Sequence, residues 1–559
     1  MSVALVNRHG ASNSKVSSQE FAWVTDAYQK WITRTLQLQI HDQSEDRGAF
    51  VDKPGQWHHG RHTGFALGHL LAARCLSADW SVTNSVFDQA VVDALAFILR
   101  RQAPDGRMDL GGIYSANEVG FTLSSLATAY RLLPVHTPNL FDRIHEDLKI
   151  YLLRGADAVV NGMAYTANHR WAAAAGPLAA VHRIFPDARY MDCIQGYLSD
   201  GIDCDAEGFW DIERSPNYND VANTGMIILA DALDRPELLD HVRRNMALMI
   251  HQVQPNSEAD CSYSHRQDRH QSDRPVTGYL VPRRMACLTG DGRLTTLALM
   301  ARMHLCQDLY PVPFELLEHP GTMPESQPLP EHYQIDYSDM QMMRRRKGKT
   351  ALTLHADSGG HFFDTVRDDW GGIRRSEDWL HLHHGPIVIQ SIRLQLAQEM
   401  AVMPSKLSRM NEYQYELSGQ SQGWNHVLHF RPGSPVHLMK CRQSHTIDVT
   451  LLEDGLRIHI QCHSWDYLYG ALNIYVRHGV KVGQTILQAG QVLPLPGRED
   501  VLLSEDDCSM KISGLPQADF MSEGSFQSSL PDKLEESCAC LSLGLRMPVN
   551  VQMLLTWDS

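Results

Sequence analysis

What the sequence withholds narrows the problem first. No uninterrupted span of about 18 apolar residues occurs in it, so a membrane-spanning helix is excluded on sequence grounds. The opening MSVALVNRHGASNSKVSSQEF has no apolar core of signal-peptide length behind a basic start, and the expectation is a cytoplasmic protein with no membrane partner. Cysteine is scarce and unpaired in pattern. Eleven residues, an odd number with no CxxC spacing, fit buried free thiols better than a disulfide framework. The tightest cluster, SCAC from Ser537 to Cys540, lacks a second ligand pair, which argues against zinc there. Positive charge is in deficit, with a formal net charge of −15, and the one basic run is Arg344-Arg345-Arg346-Lys347-Gly348-Lys349. That run is expected as a solvated strand end or turn, so a nucleic-acid footprint is not supported. An acidic chain can still take an acidic ligand where arginines and histidines line the cleft.

What is present is ordinary for a folded protein, at 43% hydrophobic and 21% charged residues. At 559 residues the chain exceeds what one core supports. From Gln19 to about Gln307 apolar residues recur at helical spacing, as in FAWVTDAYQKWITRTLQLQI, FDQAVVDALAFILRRQ and LLDHVRRNMALMIHQV. Short loops such as APDGR and FPDAR separate these segments, which makes neighbouring helices antiparallel. Tyr310 to Gln334 then carries six prolines (Pro311, Pro313, Pro320, Pro324, Pro328 and Pro330) and reads as a linker laid over a surface. Beyond it the period changes to short β-type runs, among them KTALTLHA, PIVIQSIRLQ, LRIHIQCH and VNVQMLLTW. The expected fold class is α+β multidomain. A tail (1–18) precedes an N-terminal α/α toroid or incomplete barrel (19–309), a Pro-rich linker (310–334) and a C-terminal antiparallel β-sandwich (335–559).

Four polar stretches interrupt the helical half. QWHHGRHTGFALGHLLAAR brings Trp57, His58, His59, Arg61 and His62 to a helix start, either as a surface loop or as a substrate-lining rim with Trp57 stacking on a sugar. YTANHRWAAAAGPLAAVHRIF opens an alanine-rich buried helix with Asn168, His169, Arg170 and Trp171. Asn168 could cap that helix, but capping leaves His169 and Arg170 without a role. DCDAEGFWDIERSPNYNDVANTGMIILADAL feeds Glu213, Arg214, Asn217, Tyr218, Asn219 and Asp220 into the next helix start. SYSHRQDRHQSDR supplies Tyr263, His265, Arg266, Arg269, His270 and Arg274, a basic density at odds with the acidic whole.

A helical half, a Pro-rich linker and an antiparallel β half, with Asn168-His169 fifty residues ahead of Tyr218, resemble the polysaccharide lyases of the heparinase II/III type. Within that group NHRW, ERSPNYN and YSHRQDR are similar to rhamnose-glucuronate lyases. The resemblance implies cleavage at C4 of a uronic acid by β-elimination, with an acidic uronate-containing oligosaccharide or polysaccharide as partner and no required cofactor. It implies catalytic roles for Asn168, His169, Tyr218, Arg214 and His265. Asn168, with Arg214 or Arg266, would neutralise the uronate carboxylate. His169 or Tyr218 would take the C5 proton, and Tyr218 would protonate the leaving oxygen. Substrate contacts would fall to Trp57, His58, His59, Arg61, Tyr263, Arg266, Arg269 and His361, the last from LHADSGGHFFDTVRDDW, an imperfect match to the family's Gly-His stretch. Some relatives hold a structural divalent metal in the β half, and WLHLHHGP would place His381 and His383 on one strand face. Two alternatives stand beside this reading. One is a glycoside hydrolase on the same scaffold, including an unsaturated-uronyl hydrolase, with Asp109, Glu118, Asp205, Glu213 and Asp220 as its carboxylates. The other is a non-catalytic carbohydrate-binding protein.

Overall fold

The computed structural model describes residues 16–51, 60–77, 80, 83–110, 112–210, 213–266, 268–271, 274–356, 378–396, 400–402, 404–427, 437–464, 469–519, 534 and 537–558. Among these, twelve α-helices occupy the first part of the chain: α1 (Ser18–Gln37), α2 (Gly60–Leu76), α3 (Asn84–Arg101), α4 (Ala116–His136), α5 (Pro138–Val160), α6 (Gly176–His182), α7 (Ala188–Ser199), α8 (Pro216–Leu233), α9 (Leu239–Met249), α10 (Leu280–Thr289), α11 (Gly292–Ala301) and α12 (Val312–Glu318). Their ends follow local chemistry. Ser17 Oγ accepts the Glu20 amide at 3.0 Å to start α1, and Gly290, at φ 74°, ends α10 in the left-handed region that glycine enters freely. Among the described residues of this part the strands are a short hairpin, β1 (Met108–Asp109) with β2 (Tyr114–Ser115).

The chain divides into two compact units. One is helical and comprises 1–211, 217–250 and 275–329; the other is β-rich and comprises 212–216, 251–274 and 330–559. This differs from a single cut near residue 330, because two excursions from the helical half fold with the strands. In the helical unit the last helices return to the first. Arg283 Nε on α10 meets Glu20 Oε1 on α1 at 2.6 Å, and the Tyr279 hydroxyl donates to the same oxygen at 2.6 Å. The proline-rich stretch is not wholly a surface linker. Val312–Glu318 forms α12, with Glu315 buried against Arg283 at 3.0 Å and Arg284 at 3.3 Å, because VPFELL is apolar enough to bury and its carboxylate finds two guanidinium partners.

The β-rich unit is a sandwich of two sheets. One runs β16 (Val492–Pro494), β19 (Cys538–Arg546), β13 (Tyr469–Arg477), β7 (Ile387–Leu396), β6 (Leu380–His384), β5 (Thr350–His355), β4 (Met342–Lys347), β3 (His332–Tyr337), with β8 (Met400–Ala401) on β7. The other runs β15 (Thr485–Ile486), β14 (Lys481–Val482), β17 (Val501–Glu505), β18 (Cys508–Ser513), β20 (Val549–Trp557), β12 (Gly455–Ser464), β11 (His437–Leu451), β10 (Gln414–Val427), β9 (Lys406–Arg409). Pairing is antiparallel except between β16 and β19. Period-two alternation sends Leu352, Leu382, Ile389, Ile458, Leu543 and Met553 into one core between the sheets.

Candidate active site

The alanine-rich stretch explains how the helical unit builds its polar corner. His169–Ala175 forms a π-helix, not the α-helix its sequence suggests, and Trp171 to Ala175 are all buried. Pro177 has no N–H for the Ala173 carbonyl four residues back, so the α ladder cannot close there. That carbonyl faces α4 at Gly120, where an added Cβ would lie 1.9 Å from it. On another side α8 comes to backbone contact, since a Cβ on Gly225 would lie 2.3 Å from the Trp171 carbonyl carbon. Small residues are therefore required on both sides of the π-helix, and this close packing draws α4, α8 and the Asn168-His169 pair together.

Asn168 does not cap the helix. It is itself in helical conformation, makes no capping bond and is 1% exposed. Its Oδ1 accepts from the Thr166 hydroxyl. The same Oγ1 lies 3.2 Å from His169 Nδ1. One threonine side chain thus contacts both Asn168 and His169 and ties the two neighbours together.

Phe121 on α4 forms the common wall. Its ring centroid is 5.8 Å from His169, and it packs with Ala172, Ala173, Phe65 and Val221. Tyr218, half-buried in the first turn of α8, precedes Val221 by three residues and shares its helix face. Arg61, in the first turn of α2, pairs with Glu118 at 2.8 Å and lies 5.9 Å over the Phe65 ring. His169 thus meets Phe121 directly, while α2 through Phe65 and α8 through Val221 reach the same cluster. Thr166, Phe121 and Gly225 were not singled out from sequence. Thr166 stands in the quoted motif, but its bridging role depends on side-chain positions.

Arg214, Tyr263, His265, Arg266 and Arg269 stand in the β-rich unit. Asp268 joins their two segments, accepting from Ser215 Oγ at 2.6 Å and from Ser264 Oγ. The His265 amide donates to the Glu213 carbonyl at 3.0 Å, and Arg266 Nε lies 3.5 Å from the Glu213 carboxylate. Arg214 is buried at φ 50°, a strained backbone for a residue with a Cβ, and its guanidinium donates to the Met340 carbonyl at 3.4 Å. Tyr263 is 1% exposed, and burial pushes its phenol well above the usual range. Arg269 is half-buried. Trp57, His58, His59 and His361 lie outside the described residues.

The basic run is not a solvated strand end at its first member. Arg344 is fully buried and donates to Asp260 at 2.8 Å, Gln254 at 2.8 Å and the His251 carbonyl at 3.1 Å. A buried guanidinium survives because Asp260, 84 residues earlier in the chain, neutralises it. The other oxygen of Asp260 meets His381 Nδ1 at 2.9 Å. Burial raises the Asp260 pKa, but His381 and Arg344 outweigh it and hold the carboxyl well below the usual range. His381 and His383 do share a face, with ring centroids 4.9 Å apart. Among the described residues neither belongs to a cluster of three His, Cys, Asp or Glu donors, so the pair offers a metal two side chains.

The hydrolase carboxylates are individually engaged. Asp109 lies 3.4 Å from Arg101, Glu118 is held by Arg61, and Asp220 accepts from Thr277 Oγ1 at 2.6 Å. Asp205 accepts the Phe209 amide at 2.9 Å, and Glu213 faces Arg266.

No sequence-family model matches the chain, and no curated protein matches it by sequence. Solved structures do. Heparinase III superposes over 100% of this chain and 87% of its own at TM-score 0.60 with 10% identity. A Paenibacillus xanthan lyase covers 99% of this chain and 58% of its own at TM-score 0.58 and 11% identity, so this chain spans little more than half of that enzyme. The Streptomyces coelicolor A3 chondroitin AC lyase, solved with chondroitin sulphate, covers 98% and 81% at TM-score 0.53 and 11% identity. The helices and paired sheets described above are therefore the heparinase-like polysaccharide lyase fold.

Proposed function

We propose that this protein is a polysaccharide lyase that cleaves the bond at C4 of a glucuronate-type uronic acid by β-elimination. Support comes from the fold, shared with structures described as heparinase III, xanthan lyase and chondroitin AC lyase. The observation that carries the reading is the Thr166 bridge, which orients Asn168 and His169 together on the wall that α8 and Tyr218 adjoin.

In this mechanism the Asn168 amide binds the uronate carboxylate and stabilises the enolate that forms as C5 loses its proton. His169 or the Tyr218 oxygen accepts that proton, the electron pair becomes the C4–C5 double bond, and the C4–O bond breaks. Tyr218 returns a proton to the leaving oxygen. Atoms balance without water or cofactor, and the products are a reducing-side unsaturated uronyl unit and a free hydroxyl end.

The test is to incubate the protein with uronate-containing glycans and follow the ultraviolet absorbance of the new double bond. Tyr218→Phe should lower turnover by about 10²–10⁴-fold with an unchanged melting curve. Near-native turnover in that variant would sink the assignment. New reducing ends without absorbance would replace elimination with hydrolysis.

A further inference from the structure

The basic run also contains an arginine that the buried network does not use. Along β4, period-two alternation places Met343, Arg345 and Lys347 on one face. Met343 is part of the core between the two sheets, so Arg345 and Lys347 continue that inward-facing row to the point where the apolar core gives out. There the sandwich opens as a shallow surface cleft lined by Arg345, Lys347, Thr350, Leu352, Glu453, Leu456 and Trp557. One sheet supplies β4 and β5, the other the turn before β12 and the end of β20.

The chemistry of the lining is selective. Lys347 is partly neutralised by Asp454 at 3.6 Å and donates to the Glu453 carbonyl at 3.2 Å. Arg345 is half-buried, and among the described residues it makes no ion pair and no hydrogen bond. Trp557 is held in place, stacked on His384 with centroids 5.8 Å apart and planes at 29°. His384 is itself fixed from both sides, by Thr350 Oγ1 at 2.9 Å and Asp558 at 2.8 Å. A rigid indole beside an uncommitted guanidinium matches a ring with an apolar C–H face and a carboxylate on its edge.

We propose that this cleft binds a carboxylated sugar residue, the uronate of an acidic glycan, as a non-catalytic site built from the β-rich unit alone. Arg345 takes the carboxylate bidentately, Trp557 carries the ring, and Glu453 accepts sugar hydroxyls while opposing a second negative charge. The choice of glycan rests on the lyase reading; the cleft itself does not.

The experiment is calorimetric titration of the full chain carrying Tyr218→Phe with a glucuronate-containing oligosaccharide and with its carboxyl-reduced, neutral counterpart. Adding Arg345→Ala should weaken the β-unit site about tenfold for the carboxylated glycan, the scale of one charge-assisted hydrogen bond, and leave the neutral glycan unchanged. Trp557→Ala should weaken both. Glu453→Gln, which keeps shape and removes repulsion, should tighten the carboxylated glycan severalfold. Isotherms that Arg345→Ala and Glu453→Gln leave unaltered, or an absence of saturable binding, would overturn the site. Product formation by the native chain is scored separately. Arg345-dependent binding without any unsaturated product removes the lyase reading and keeps the cleft. Product formation with Arg345-independent binding does the reverse.

Discussion

Two buried carboxylates in each unit stand in opposite environments, although elsewhere in the helical unit Glu20 and Glu315 are paired with Arg283 and Arg284. In the helical unit Asp308 accepts the Tyr279 and Leu280 amides at 3.1 and 2.8 Å, and Asp220 accepts from Thr277. Both approach Gly278, where an added Cβ would lie 2.5 Å from Asp308 and 2.8 Å from Asp220. Among the described residues neither is paired with a cation, so burial, and for Asp308 the neighbouring Asp220, raises both carboxyls above the usual range. In the β-rich unit Asp378 meets Arg393 at 2.8 Å and His270 at 2.8 Å, as Asp260 meets Arg344 and His381. Burial pushes Asp378 up too, but Arg393 and His270 overcome it and hold the carboxyl well below the usual range. Asp220 and Asp308 thus rest on uncharged donors, whereas Asp260 and Asp378 are paired with cations.

That contrast can be broken at several points. The largest effect should come from Arg344→Ala, which strands Asp260 as an uncompensated buried charge. A loss of about 3–5 kcal/mol is expected from chemical denaturation, and a loss below about 1 kcal/mol would mean the pair does not stabilise the sandwich. In the helical unit Gly225→Ala should cost about 1–3 kcal/mol, because the added methyl meets the Trp171 backbone and not a side chain that can turn away. It should also lower turnover, since the π-helix carries His169. Thr166→Val keeps shape but removes the bridging hydroxyl. Turnover should fall about 10–100-fold with the alkaline or acid limb of its pH profile displaced, while Thr166→Ser restores it; an unmoved profile would assign Thr166 to packing alone.

The smallest effect concerns pH. A carboxyl raised by folding contributes stability that is full below its unfolded value near 3.9 and lost as pH rises through the raised value. Asp308→Asn should therefore leave acid stability nearly unchanged and gain about 1 kcal/mol at neutral pH, read as a higher melting temperature. For Asp260 and Asp378 the sign reverses. Their contribution is present above about 3.9 and lost as pH falls towards their depressed values, so acid should melt the β-rich unit first. Hydrogen exchange showing the helical unit opening first in acid would refute the comparison.

Much of this was legible in the chain. Helical spacing up to about Gln307 and alternation beyond Gln334 correspond to the helices and the two sheets, because amphipathic period is set by which face must be buried. In YTANHRW the polar opening of the alanine-rich stretch was legible, its π-helical geometry was not. Pro177 stands in the same stretch, but the close backbone approaches at Gly120 and Gly225 come from residues distant along the chain. The basic run was read as one solvated feature, although alternation splits it: Arg344 faces a buried carboxylate and Arg345 a cleft. Likewise the six-proline stretch concealed α12, whose burial depends on guanidinium groups from α10.

The sequence by itself determined the two-part architecture, the helix and strand periods, the absence of a membrane-spanning run and the residue types from which a uronate-binding site can be made. These are local or compositional properties, readable from neighbours a few positions apart. Tertiary structure decided which of those residues share protons and charges. Thr166 between Asn168 and His169, Asp260 beneath Arg344, and Asp220 near Asp308 depend on distances that chain order does not encode. In a low-dielectric interior, those distances decide whether a polar group is paired, neutralised or left able to act.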